Sequence, residues 1–319
     1  MRRSLFLLGM ASVMLTQCAK EMDVALLSEA PVYVTTLSAE IGQPQVTGLA
    51  TTRTTITTDT PHEILWKEGD LLYVKADNDA PGDFRYFTVD ANSIGKRSGT
   101  FSYMEQEGTV PLKAGYTRLQ CVYAGNMSQV SYDEDSKTIQ LTMSEILGIN
   151  DEKASHNDNL LSLFDDFVMT GETVGNNSII FACPFGLLHM ELTSTQTGGV
   201  RIVEFSVETS QTPELCGTFT MNVSSGTADY VNASVENPYE ASYTPIWTGK
   251  TPGGVDYVQL SPSQEAKHFY LMLPAGEYPV GTTFKFTTGS NDIITKQFQT
   301  PVTLKAGTIL NLPLLDVKK

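Results

Sequence analysis

The sequence predicts an all-β protein made of antiparallel sandwiches. Three observations carry that reading. From Ile56 onward the chain runs as short β-branched and aromatic stretches punctuated by glycine and acidic turns. No strand–helix alternation, heptad or solenoid period interrupts the rhythm. Of the 319 residues, 41% are hydrophobic and 18% are charged, so the chain can bury cores and is not disordered. The length suits about two domains at ~100–200 residues each.

The chain opens with a secretory leader. Arg2 and Arg3 give the positive start, and Leu5 to Leu15 forms the apolar segment. That segment is too short to span a bilayer, which needs ~20 residues. Leu15-Thr16-Gln17-Cys18 resembles a lipobox, in which the cysteine is diacylated and becomes the first mature residue. Gln17 departs from the small residue usual at that position. The alternative is an ordinary signal peptide with a chance cysteine.

One strand is predicted between Lys20 and Thr52, from Pro31 to Ile41. Tyr33, Thr35, Leu37, Ala39 and Ile41 share one face; Val32, Val34 and Thr36 share the other. Gly42, Pro44 and Gly48 break the pattern. Arg53 then stands alone among threonines. A basic residue in a short polar run is open to a trypsin-like protease. It reads also as a simple loop arginine, the reading that the local residues alone favour.

Strands are then expected at Ile64 to Lys75, with a turn at Lys67-Glu68-Gly69-Asp70, and at Phe84 to Val89, Gly99 to Tyr103 and Leu119 to Ala124. Gln129 to Met143 reads as a hairpin whose tip holds Asp133, Glu134 and Asp135, consecutive acids of a solvated turn rather than a catalytic pair. The acidic loop Asp77 to Asp83 fails as a calcium loop because Thr88 stands where the closing glutamate should be. Ser144 to Leu163 is the only stretch with a possible helix. After Phe167 to Thr170, the polar run Thr170 to Ser178 is the best linker. Further strands are expected at Ile179 to Phe181, Leu187 to Leu192, Val200 to Val207, Thr218 to Val223, Tyr257 to Leu260, Phe269 to Leu273, Thr283 to Thr287, Ile293 to Phe298 and Ile309 to Leu315.

Composition narrows the function. Acidic residues outnumber basic ones 36 to 21, for a net charge of −15, which argues against a nucleic-acid partner. Cys121, Cys183 and Cys216 have no metal or redox spacing; Cys121 and Cys183 read as small core residues, and export leaves a disulfide open. His62, His156, His189 and His268 are far apart in sequence without ligand spacing, and His189 reads as a strand residue. No nucleophile elbow, phosphate loop, dinucleotide fingerprint or zinc-protease motif is present. No catalytic residue, metal or cofactor is therefore expected, and the chain reads as a non-enzyme. Trp66 reads as core, and Trp247 as a candidate exposed stacking residue for a ligand.

Several pieces in order resemble the fimbrillin family of Bacteroidetes, whose shaft members are type V pilins. They are the leader with Cys18, the Thr-Arg-Thr site at Arg53, Leu65-Trp66-Lys67-Glu68-Gly69-Asp70 before Leu72-Tyr73-Val74, Phe181 to Leu188 (FACPFGLL), Phe269 to Tyr278 (FYLMLPAGEY), and Leu304-Lys305-Ala306-Gly307. Ala19 to Asp23 also resembles the charged signal that sends lipoproteins of that phylum to the outer face of the outer membrane. The resemblance implies two tandem transthyretin-like β-sandwich domains. The expected division is a signal peptide at 1–18, a removable leader at 19–53, and sandwiches at 54–172 and 173–319. It further implies a surface-exposed precursor held in the outer membrane through lipidated Cys18. A processing protease would cut between Arg53 and Thr54. The leader strand would then leave a groove that a strand from another fimbrial subunit fills by donor-strand exchange. Ile309 to Val317 is needed as the last strand of its own domain, and Pro313 suits an edge or mobile strand. Shaft, tip and anchor roles stay open. The rival reading is a lipid-anchored protein that captures glycan or another surface ligand through Trp247.

Overall fold

The computed structural model describes residues 31–43, 45–48, 64–79, 84–106, 108–124, 130–133, 135, 138–143, 146–149, 168–174, 177–222, 227–232, 237–245, 249–250, 256–264 and 266–319. Cys18, Arg53, Thr54, His62, His156 and Trp247 lie outside them. The chain divides into Met1–Val32, of which only Pro31 and Val32 are described, and Tyr33–Lys319, which holds every described strand. Among the described residues there is one 3₁₀ turn, Ala91–Ser93, and no helix long and apolar enough to cross a membrane.

The segment upstream of Arg53 supplies β1 (Tyr33–Val34), β2 (Thr36–Ile41) and β3 (Gln45–Gly48). The first half continues with β4 (Leu71–Ala76), β5 (Arg85–Val89), β6 (Ser98–Tyr103), β7 (Leu112–Lys113), β8 (Arg118–Ala124), β9 (Val130–Asp133), β10 (Thr138–Met143), β11 (Ile146–Ile149), β12 (Val168–Val174) and β13 (Ser178–Ala182). The second half holds β14 (Gly186–Thr193), β15 (Val200–Glu208), β16 (Gly217–Asn222), β17 (Thr227–Asn232), β18 (Glu240–Pro245), β19 (Gly249–Lys250), β20 (Asp256–Leu260) and β21 (Lys267–Leu273). It ends with β22 (Gly276–Tyr278), β23 (Thr283–Thr288), β24 (Ile293–Gln297), β25 (Val302–Leu304), β26 (Thr308–Asn311) and β27 (Leu315–Asp316). The all-β class therefore holds.

Two features go beyond the expected tandem pair. First, the sheet of the first half closes on itself as a barrel in the order β12-β13-β2-β6-β5-β4-β8, with β8 pairing back to β12. Trp66 fills its core, with Phe101, Phe181 and Tyr123 edge-on at centroid distances of 4.9, 5.8 and 5.9 Å. Such edge-to-face packing suits the quadrupoles of the rings. Second, the halves share strands. The hairpin β9–β10 and the hairpin β16–β17 form one four-stranded antiparallel sheet, joined where Ile139 faces Met221 and Leu141 faces Phe219. Strand β11 lies parallel to β18 in a sheet of the second half.

The second half is a sandwich. One sheet centres on β15, flanked by β23 on one edge and by β18 and then β20 along the other. The opposing sheet runs β21-β14-β26-β3, with β27 following β26 along β14. Phe205 of the first sheet meets Phe269 of the second at 6.1 Å. Leu188, Leu273 and Leu310 close over Val207 and Phe284 in the same interior.

Three sequence expectations are corrected. Ile64 to Trp66 is not part of a strand. It is an extended segment pinned by exchanged backbone bonds, Trp66 N to Lys96 O at 3.0 Å and Gly95 N to Trp66 O at 2.8 Å. Within Ser144 to Leu163, where a helix is possible, Ile146–Ile149 form β11 because this apolar run finds an edge of the second half's sheet; the rest of the stretch lies outside the described residues. The expected linker, Thr170 to Ser178, is largely strand. Positions 172 and 173 lie within β12, whose polar residues sit in a barrel wall rather than between domains. The three cysteines beyond the leader are all buried and free, which closes the disulfide option. Burial pushes the Cys183 thiol up to about 12, and Cys121 is raised by the same cause. Both are inert core residues.

Candidate strand-acceptor groove

The site is the slot that β2 occupies. Its sequence, TLSAEI, alternates without exception: Thr36, Ser38 and Glu40 face solvent, while Leu37, Ala39 and Ile41 are 0%, 2% and 0% exposed. This is the period-2 signature of a strand with one buried face. Antiparallel pairing puts Leu37 opposite Phe101 on β6, and parallel pairing puts Ile41 opposite Phe181 on β13. Phe101 and Phe181 are two of the rings that surround Trp66. Strand β2 thus completes the barrel core as well as its hydrogen-bond ladder.

The flanks of β2 are fixed by bonds that do not depend on side-chain identity. Thr35 O accepts from Tyr103 N at 2.8 Å, and Ser38 N donates to Asn177 O at 2.9 Å. Ile41 N donates to Arg97 O, and Gly42 N donates to Phe181 O at 2.8 Å. At Gly42 a Cβ would stand 3.0 Å from Phe181 O, so a side chain there would push the strand and its neighbour apart by a few tenths of an ångström. Gln43 then clasps the Ile64 backbone from both sides, Nε2 to O and N to Oε1, each at 3.2 Å. Beyond it, β3 leaves the barrel and adds a parallel strand to the edge of β26, with Val46 opposite Ile309. One short segment upstream of Arg53 therefore completes two sheets.

The Lys67–Asp70 turn sets the opposite wall. Gly69 takes φ +84°, the left-handed region that a side chain disfavours. Asp70 is buried; one carboxylate oxygen accepts from Lys67 N at 2.7 Å and the other from the Tyr123 hydroxyl at 2.9 Å. Burial raises the Asp70 carboxyl above its ordinary range, against the lowering by these two bonds. The turn launches β4 beside β8 and so holds Tyr123 against Trp66.

The C-terminal stretch Ile309 to Val317 is docked in its own sheet. Ile309 and Val317 are fully buried, and β26 and β27 pair with β14 on either side of Pro313. Asp316 accepts from Thr195 N and Oγ1 at 2.8 and 2.7 Å and pairs with Lys318 at 2.8 Å.

A second cluster lies away from the slot. His189 on β14 and His268 on β21, distant in sequence, meet with ring nitrogens 3.1 Å apart. Only the register of two strands separated by the whole β15–β20 region reveals it. The sequence signal was His189-Met190-Glu191, an i, i+2 pair on one strand face.

No protein-family model matches the sequence, and no curated protein matches it. Solved structures resemble it. A protein of Bacteroides ovatus provisionally named a cell adhesion protein matches 90% of this chain and 96% of its own, at 11% identity and a TM-score of 0.50. Another so named, from Bacteroides fragilis, matches 89% and 92% at 10% identity and a TM-score of 0.40. A fimbrial assembly protein of Parabacteroides distasonis matches 88% and 90% at 11% identity and a TM-score of 0.31. The first of these shows the fold of this chain.

Proposed function

We propose that the chain is a fimbrillin-type structural subunit of a surface fimbria, exported as a lipoprotein and assembled by strand exchange. The observation that carries this reading is the placement of β2. A strand lying upstream of Arg53 in sequence completes the core of a barrel whose other walls all lie downstream of it. A cut between Arg53 and Thr54 makes that strand a separate peptide. While tethered, it competes at the millimolar effective concentration of a short linker; once cut, it is diluted. Its loss uncovers the ladder edges of β6 and β13 and the apolar seats of Leu37, Ala39 and Ile41. Burial of a leucine or isoleucine is worth ~1.5–3 kcal/mol, and each net hydrogen bond ~0.5–1.5 kcal/mol. A replacing strand must therefore present apolar residues at alternate positions. An edge left open in this way is a template for a second chain. Head-to-tail filling does not close on itself and builds a filament.

In this account lipidated Cys18 holds the precursor at the outer membrane, the protease is of trypsin or arginine type, and the partners are other fimbrial subunits. The names of the fold neighbours support an adhesive, non-enzymatic role of the same kind. The test is Arg53→Ala in the native cell. The variant is expected to reach the surface and remain full length after Cys18, and to be absent from sheared fimbriae. Its presence in fimbriae at wild-type amount overturns the reading.

A further inference from the structure

We propose a divalent transition-metal site, of zinc type, on the outer face of the β14–β21–β26 sheet, formed by His189, His268 and the Glu191 carboxylate. The three ligand groups lie within 4.8 Å of one another. Register places them. His189 faces Tyr270 across the antiparallel pair and Asn311 across the parallel pair, and Glu191 faces His268. His189 and Glu191 stand two residues apart on β14 and so share a face, with His268 diagonal to His189. This is the face opposite Leu188, Met190 and Leu310, which point into the sandwich.

The donor set is two imidazoles and one carboxylate, the composition of open three-ligand zinc sites. The ring nitrogens of His189 and His268 are 3.1 Å apart. Two zinc–nitrogen bonds of ~2.0–2.1 Å at a tetrahedral angle require ~3.3 Å. The two ring planes are nearly parallel, at 9° with centroids 5.3 Å apart, and the facing nitrogens are in hydrogen-bond contact. A metal takes the place of that hydrogen bond once His268 carries its hydrogen on Nε2 and turns its Nδ1 lone pair toward the ion. The half-buried positions of His268 and Glu191 allow that adjustment and an approach from solvent.

His189 is held in advance. It is 6% exposed and stacks on Tyr270 at 4.5 Å. Its Nδ1 donates to Asn311 Oδ1 at 2.8 Å, which leaves Nε2 as the bare nitrogen. An outer partner that fixes the tautomer of a histidine ligand in this way is a regular part of metal sites. The site is built on strands rather than loops, which keeps its geometry precise.

Calorimetric titration of the purified full chain with zinc chloride tests the site, with cobalt(II) substitution read by its visible absorption. One equivalent is expected, with a four-coordinate cobalt spectrum. His268→Ala and Glu191→Gln should each abolish or strongly weaken binding, while His62→Ala combined with His156→Ala leaves it intact. Asn311→Ala should weaken it ~10–100-fold without removing it. Absence of binding to the folded wild-type chain overturns the proposal. So does undiminished stoichiometry and affinity in both His268→Ala and Glu191→Gln.

Discussion

Leu37 and Ile41 carry the leader's grip on the barrel. Both are fully buried, and each faces a phenylalanine that touches Trp66. Large-to-small changes in such seats cost ~2–5 kcal/mol. Leu37→Ala should lower the unfolding free energy of the uncleaved chain by that amount, read by chemical denaturation. After cleavage and removal of the leader the same substitution should have no effect, because the residue has left the molecule. Tyr123→Phe tests the opposite wall. It strips the Asp70 carboxylate of one of its two bonds and should cost ~1–3 kcal/mol at neutral pH. The sign with pH follows from the raised Asp70 carboxyl. The Tyr123 bond favours the charged form, so its loss raises that carboxyl further. A group raised in the folded state withdraws stability as pH rises through its folded value. The penalty of Tyr123→Phe should therefore shrink as pH falls through the Asp70 titration, measurable by chemical denaturation across the acid range. The alternation of Leu37, Ala39 and Ile41 was legible in the sequence because a strand with one wet face writes its period directly. The meeting of His189 and His268 was not, because no local pattern encodes which strands become neighbours.

Two sheet edges depend on the leader. Strand β2 covers β6 and β13, and β3 covers β26. Hydrogen exchange should show the amides of β6 and β13 that face the slot protected in the uncleaved chain and exchanging once the leader is removed. Strands β4 and β8, paired with each other at the back of the barrel, should keep their protection. Most strands were readable from apolar runs bounded by turns. Strands β17 and β18 were not expected, because Thr227–Asn232 and Glu240–Pro245 are mostly polar and owe their structure to the edges of β16 and β15. The same cause explains β11 and β12. Ile146–Ile149 looks like a fragment of helix and Val168–Val174 like the start of a linker until a neighbouring edge is supplied. Propensity loses to pairing wherever the partner is remote.

At the scale of the whole molecule, the halves are tied by a shared sheet, by β11 beside β18, and by β3 beside β26. Unfolding of the uncleaved chain should be one calorimetric transition, not two. A fragment covering 54–172 should not fold alone, because it ends inside β12 and lacks β2, β13 and β16. Leader removal withdraws the third tie and should lower the transition temperature while leaving the shared sheet intact.

The central claim is that the leader strand is removed and replaced. Intact mass and N-terminal sequencing of the mature protein from its native surface test it most directly. The account predicts a chain that begins at Thr54, carries no lipid, and is recovered in polymers. A chain that begins at an acylated Cys18 with the Arg53–Thr54 bond intact contradicts it, and points to an anchored surface protein that keeps its barrel closed.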